Sequence, residues 1–467
     1  MKRIWMPRNE ETGRHSGCKT NARFIRTRGG ETVNAFKGLH VLVTLGVVLS
    51  LSPVRAQASP GATRAAFIVD STVDAVDANL GDGLCATAAG ECTLRAAIQE
   101  TNALTGDDSI TLPAGVYRLT IPGADEDAAA IGDLDISDNL TLAGAGASRT
   151  SIDGNGSVTG DRVFHMLSAA RVRISGATVS GGKAIGGGPF SFSDGGGIYN
   201  SGTLTMNKSS ISGNTASGSG GGIYNSGKAT INKSALSGNT AKSGGGLDNS
   251  GKATINKSAL SGNTATGQAA HGGGAYNSGT LAINTSSISE NTARAVGQDK
   301  TGSYGGGIFD GGGTLTITNS TLSDNAVVGG CCQFIAYGGG IYAGTVFLQN
   351  TILAGNTTTS LGPDCLGTVT STGFNLVGNN SDCTFNATRG DQVGTPEDPI
   401  DPLLGPLQDN GGPTFTQALL DGSPAIDTGT RTDCPATDQR GYARPVDGDG
   451  DGIAECDIGA YEYGAAP

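Results

Sequence analysis

Asn225-Ser-Gly-Lys-Ala-Thr-Ile-Asn-Lys-Ser-Ala-Leu-Ser-Gly-Asn-Thr-Ala241 returns letter for letter as Asn249–Ala265, a shift of 24 positions. Around this pair a looser pattern persists. Triglycine heads begin at Gly195, Gly220, Gly244, Gly272, Gly305 and Gly338, spaced by 25, 24, 28, 33 and 33 residues. Apolar residues alternate over short spans within each unit (Leu315, Ile317), and Gly- or Asn-rich corners bound them, which is a strand period. A unit this short cannot enclose a core, so it must stack on its neighbours. Stacking places Met206, Ile231, Ile255, Ile283, Ile317 and Leu348 in one column, and Ile211, Leu236, Leu260, Ile288, Leu322 and Ile352 in a second. The leucine-dense consensus of a leucine-rich repeat is absent, and a propeller blade needs about 40 residues. The pattern therefore predicts an all-β fold, a right-handed single-stranded parallel β-helix of about ten coils from Ile110 to Asn356, roughly 45–50 Å long.

Three further regularities follow from the alignment. Asn214, Asn239, Asn263, Asn291, Asn325 and Asn356 recur at one corner. Asn tolerates left-handed backbone and bonds to neighbouring backbone, so the column reads as a ladder closing the turn. Tyr199, Tyr224, Tyr276, Phe309 and Tyr342 follow the inward position and should face outward, interrupted by Asp248. Such a stripe could stack on sugar rings, but mutual stacking that covers the sheet is the plainer reading. The insertions Ala265–His271, Ala293–Tyr304 and Ala326–Tyr337 all precede a triglycine head. They are expected on one side of the solenoid, as a rim for partner binding.

Residues 1–58 carry ten Lys/Arg against three Glu, a largely apolar run from Leu39 to Leu51, and Ala56-Gln-Ala58. That order describes a secretory signal peptide cleaved after Ala58; the run is too short to span a bilayer. The remainder holds 20 Lys/Arg against 39 Asp/Glu, a balance that excludes nucleic acid as a natural partner. Eight cysteines remain, an even number that suggests disulfides in an exported chain. Proximity pairs Cys85 with Cys92, Cys365 with Cys383 and Cys434 with Cys456, and leaves Cys331 beside Cys332.

Outside the repeats the chain carries recognisable ends. Thr72–Cys85 followed by Gly90-Glu-Cys92-Thr-Leu-Arg-Ala-Ala-Ile98 resembles the CSLREA domain that precedes β-helices in exported bacterial proteins. Thr93 stands for its serine and Ala96 for its glutamate. Leu94, Ala97 and Ile98 fit one face of a short helix, an N-terminal lid over the first coil. Gly405–Thr414, Ala418–Asp427, Asp438-Gln-Arg-Gly-Tyr-Ala-Arg-Pro445 and Cys456-Asp-Ile-Gly-Ala-Tyr-Glu462 resemble the choice-of-anchor Q domain, as does Gly373-Phe-Asn-Leu376 between Cys365 and Cys383. The repeats resemble those of polymorphic outer-membrane proteins. These resemblances imply an exported β-helix and assign no catalytic activity. The expected organisation is a signal peptide (1–58), a cap (66–109), β-helix repeats (110–358) and a disulfide-bearing C-terminal region (359–467). With no sorting anchor before Pro467, free secretion or noncovalent surface retention is expected.

Candidate chemistry is sparse. Asp447, Asp449 and Asp451, with Gly452 after them, space oxygens as an EF-hand loop begins, and Glu455 or Asp457 could complete a partial Ca²⁺ site. The position-12 ligand would be Ile458, so this is no full EF-hand. Carbohydrate-active enzymes on β-helices need clustered carboxylates with basic partners. His271-Gly272, Asp107-Asp108 and the Lys208, Lys233, Lys257 column do not compose such a set, and no His triad is evident. The sequence reading is a non-catalytic surface or secreted protein that binds a glycan or a cell-surface protein, with a polysaccharide lyase or hydrolase as the alternative.

Overall fold

The computed structural model describes residues 64–124, 126–186, 193–296, 302–329 and 335–467. All of them belong to the second of two units, Pro60–Pro467. The signal segment 1–58 and the Cys331-Cys332 pair lie outside the described residues.

The alternation read from the repeats becomes four strands per coil. The second coil of the identical pair has a head strand (Leu247–Asn249), a long strand (Lys252–Asn256), a third strand (Ala259–Ser261) and a fourth (Thr264–Gly267). Every strand pairs in parallel with its counterpart one coil away, so Ile231 lies on Ile255 and Leu236 on Leu260. The long-strand stack begins at Ala66–Ile68 and ends at Cys383–Asn386, and it has twelve rungs among the described residues. At about 4.8 Å per rung the rod is roughly 53 Å long. Its coils wind with the right-handed crossover that parallel strands demand. Parallel pairing continues beyond residue 358, through Cys365–Ser371 and Gln392–Val393. Each inward Leu or Ile is almost wholly buried, and burial of each contributes about 1.5–3 kcal/mol.

One column departs from the expected register. Leu353, not Ile352, pairs with Leu322 and points inward, while Ile352 pairs with Thr321. Ile352 is nonetheless fully buried, because it points outward into a second core with Leu419, Ile426 and Ile458. An outward apolar residue under a covering layer is indistinguishable in sequence from an inward one.

The Asn column is a buried ladder, but its backbone role differs from the expectation. The left-handed residue at this corner is the one before each Asn: Gly213, Gly238, Gly262, Glu290, Asp324 and Gly355. The Asn acts through its amide. Asn239 Nδ2 donates to Asn263 Oδ1 at 3.0 Å and to the carbonyl of Ile211 at 3.0 Å, and Asn263 Oδ1 also accepts the Asn239 backbone N–H at 3.1 Å. The ladder closes on Asp364, whose Oδ1 accepts Asn356 Nδ2 at 3.0 Å. A second ladder, not read from the sequence, runs from Asn200 through Asn225, Asn249 and Asn277 to Asp310. Triglycine heads are demanded by close backbone approach: a Cβ on Gly221 would sit 2.5 Å from the carbonyl oxygens of Gly245 and Thr240.

At the N-terminal end, helix α1 (Leu94–Ala103) lies over the first coils, with Leu94, Ala97 and Ile98 in the main core. Thr93 is its N-cap and accepts the Ala96 N–H at 3.1 Å. Ala96 occupies the position from which a glutamate would reach back to the cap. Arg95 is fully buried, pairs with Asp74 at 2.6 Å and donates to the carbonyls of Ala129, Gly132 and Asp133.

The C-terminal region turns back along the rod. It includes an antiparallel pair, Leu404–Gln408 with Thr416–Leu419, and rests on the outer face of the third strands. There Gln439 accepts from Ser287 at 2.7 Å and Ala460 N–H donates to Thr321 at 3.1 Å. The outward serines of uncovered coils are half-buried (Ser210, Ser212), whereas Ser287, Ser289 and Ser323 are buried beneath this layer. The motif residues hold the layer together. Arg444, in the same fold-back, pairs with the fully buried Glu462 at 2.6 Å, and Arg440 pairs with Asp438 at 2.7 Å and lies over Tyr461. Cys85–Cys92, Cys365–Cys383 and Cys434–Cys456 are disulfides, the three pairs expected from proximity.

Candidate functional site

Outward residues of the head strands form one column along the rod: Asp135, His165, Tyr199, Tyr224, Asp248, Tyr276, Phe309 and Tyr342. Ring centroids of Tyr199–Tyr224, Tyr276–Phe309 and Phe309–Tyr342 lie 4.9, 5.3 and 5.1 Å apart with interplanar angles of 27°, 16° and 9°. That spacing is close to one rung, so the rings lie one above another and present their edges to solvent.

The insertions form a small sheet of their own beside this column. Ala270–His271, Ser303–Tyr304 and Ala336–Tyr337 pair in parallel, over a cluster of Ala265, Ala270, Ala293, Val327 and Ala336. His271, Tyr304 and Tyr337 therefore stack as a second aromatic column. His271 lies 4.9 Å from Phe309, and Tyr304 lies 5.2 Å from Tyr342. The insertions do share one side, as expected, and they widen the stripe into a two-column aromatic surface. Asp248 is its polar break. Burial, with Asp194's charge adding to it, pushes the Asp248 carboxyl up to about 7.

At the N-terminal end of the column the structure assembles a polar cluster that the sequence did not announce. His165 Nδ1 lies 3.0 Å from Asp135 Oδ1 and 3.3 Å from Asp127 Oδ1. Asp135 is fully buried, and its Oδ2 accepts the Ala129 N–H at 2.9 Å, so Arg95 indirectly fixes it through the loop it holds. Arg162 lies 3.6 Å from both Asp133 and Asp161, with its guanidinium 5.1 Å from the centre of the Tyr199 ring. Burial raises the carboxyls of Asp133, Asp135 and Asp161 above their ordinary range, Asp133 most of all. A histidine held by a carboxylate beside raised acids and a guanidinium is a set able to move protons. Its members come from different coils outside the regular repeat, so no periodic signal joined them.

The expected calcium residues divide. Asp447 and Asp449 converge with Asp427, which sequence spacing had not singled out. Asp427 Oδ2 accepts the N–H groups of Gly448 and Asp449 at 2.7 Å each, which draws the loop onto it. Asp451 caps its own turn by accepting the Ile453 N–H at 2.7 Å. Glu455 pairs with Arg431. Asp457 is fully buried and accepts the N–H groups of Asp427 and Tyr463. Burial, then Glu462's charge, pushes its carboxyl up to about 7.

No family model and no curated protein matches the sequence. Among solved structures, the chain is similar to the crystal structure of pectate lyase Pel9A. The two share 14% identity over 86% of this chain and 98% of that one, with a TM-score of 0.42. No helix among the described residues is long and apolar enough to cross a membrane.

Proposed function

We propose that this chain is an exported, non-catalytic β-helix protein of the cell surface or surrounding medium, which binds a glycan or a cell-surface protein through its loop-bearing face. The observation that carries the reading is the two-column aromatic surface, where inserted strands add His271, Tyr304 and Tyr337 to the head-strand stripe. Aromatic residues on a rigid scaffold offer large contact area at low entropic cost. Three disulfides support maturation in an oxidising compartment. Because Ser303 is fully buried in the inserted sheet, point substitution is a cleaner test than excising the loop. Purified wild type and Tyr304→Ser/Tyr337→Ser are applied to immobilised neutral glycans and, at high salt, to whole cells. Loss of binding with an unchanged thermal midpoint supports the proposal; equal binding by both proteins refutes it.

The proposal includes a calcium ion held by Asp447 and Asp449 together with Asp427, whose ligand atoms converge. Titration of chelator-stripped protein with calcium chloride in a calorimeter tests it, and absence of heat at millimolar calcium refutes it. A second reading, a polysaccharide lyase or hydrolase, is favoured by the His165, Asp135 and Arg162 cluster. Release of unsaturated ends or new reducing ends from polyuronates, abolished by His165→Ala, would establish that reading in place of the first.

A further inference from the structure

The chain is acidic as a whole, with 42 Asp/Glu against 30 Lys/Arg, yet one face of the rod reverses that sign. The long strands Arg171–Ser175, Thr203–Asn207, Lys228–Asn232 and Lys252–Asn256, with the residue that turns each of the last three, contain seven Lys/Arg and no carboxylate. Arg171, Arg173, Lys228 and Lys252 stand on the outward face and are exposed. None of the four makes an ion pair among the described residues. Register places Lys228 directly against Lys252, and Thr205, Thr230 and Thr254 in line with Arg173. Lys208, Lys233 and Lys257 follow at the turn, all with positive φ near 48°, stacked one per coil. Like charges directly opposite in a sheet repel, so this arrangement is costly unless a polyanion lies across it.

We infer that this face binds a linear anionic polysaccharide, with its carboxylate or sulfate groups on the Lys/Arg rows and its hydroxyls on the threonines between them. The strip is bounded at both ends. Towards the N-terminus it ends at a polar pocket where Arg64 and Asn139 join Arg171 and Arg173, and where Asp107 and Asp108 bring in the first carboxylates. In the other direction the Lys position becomes Thr280 and Thr314, and Lys257 already donates to Thr437 of the C-terminal layer. Single-stranded nucleic acid would need aromatic platforms, and these strands carry none. An anionic lipid surface would need exposed apolar side chains to insert, and the outward positions here are Ser, Thr, Asn, Lys and Arg. The surface is separate from the aromatic columns and does not depend on the function proposed for them.

The experiment measures binding of the full chain to polygalacturonate, dextran sulfate and neutral dextran, at low and high salt. The inference expects one or both polyanions to bind, neutral dextran not to bind, and affinity to fall at least tenfold at high salt. Arg171→Gln/Arg173→Gln/Lys228→Gln/Lys252→Gln should lose at least roughly tenfold in affinity with its thermal midpoint unchanged. Tyr304→Ser/Tyr337→Ser should bind the polyanions as wild type does. Preference for polygalacturonate assigns a uronate ligand, and preference for dextran sulfate a sulfated one. The inference is overturned if neither polyanion binds, if the quadruple variant binds undiminished, or if single-stranded DNA binds as tightly as either glycan.

Discussion

Replacing Asn263 by alanine tests whether the amide ladder or the apolar columns alone hold the coils in register. Asn263 is fully buried. Its Nδ2 donates to Asn291 Oδ1 and to the Leu236 carbonyl, both at 2.9 Å, and its Oδ1 accepts Asn239 N–H at 3.1 Å and Asn239 Nδ2 at 3.0 Å. Alanine removes all four bonds and strands two donors of Asn239 in the interior. A buried polar group left unsatisfied costs about 1–3 kcal/mol, so the loss should be about 4 kcal/mol. Asn214→Ala offers an internal scale. Among the described residues Asn214 Oδ1 accepts one N–H, that of Gly182 at 2.9 Å, so about half that loss is expected. Urea unfolding followed by circular dichroism gives both values, and hydrogen exchange at the Asn239 N–H reports the break locally. A solenoid cut at mid-rod should also unfold with a broadened transition. If Asn263→Ala costs less than about 1 kcal/mol, or Asn214→Ala costs more than it, the ladder is incidental and the reasoning fails.

Asp248 ties stability to pH. Its folded carboxyl sits at about 7 against an ordinary 3.8, so the folded state binds the proton more tightly. Stability from this group is complete below pH 4 and is lost as pH rises to 7, by up to about 4 kcal/mol. Asp248→Asn should therefore outlast wild type in thermal melts at pH 8 and match it near pH 4; parallel curves would refute this. Glu290 holds φ 59° where the equivalent Gly262 has nothing within 4 Å of a built Cβ. Glu290→Gly should gain about 1 kcal/mol in urea unfolding, and a loss would contradict the strain argument. Arg444→Met would leave Glu462 buried without its partner and should cost about 3–5 kcal/mol, freeing the C-terminal layer to limited proteolysis while the coils persist. Unchanged protease resistance would show that the pair is dispensable.

Stacking was legible because the repeat is literal. Identical segments at a shift of 24 leave one register that keeps Ile231 on Ile255, and the insertions fall on one side for the same reason. Two things escaped. The C-terminal fold-back joins residues as far apart as Lys257 and Thr437, and such contacts leave no local periodicity. It also disguised Ile352, whose apolar character answers to the covering layer and not to the rod. The cluster around His165 escaped because its coils precede the regular heads, so nothing aligned Asp135 beneath His165. Of the acidic residues singled out by spacing, Asp447 and Asp449 lie together with Asp427, which spacing passed over, whereas Glu455 pairs with Arg431 and Asp457 accepts from Asp427 and Tyr463.

Both amide ladders hand hydrogens in one direction, and each ends on an aspartate, Asp310 or Asp364. An ionised carboxylate can receive such a hydrogen but has none to pass forward. The last rung of each relay is therefore a terminator: the coils beyond it, paired on through Cys365–Ser371 to Cys383–Asn386, stack without a side-chain amide handed on from Asp310 or Asp364. Two exchanges of nitrogen for oxygen thus end each relay at least one coil before the rod itself ends.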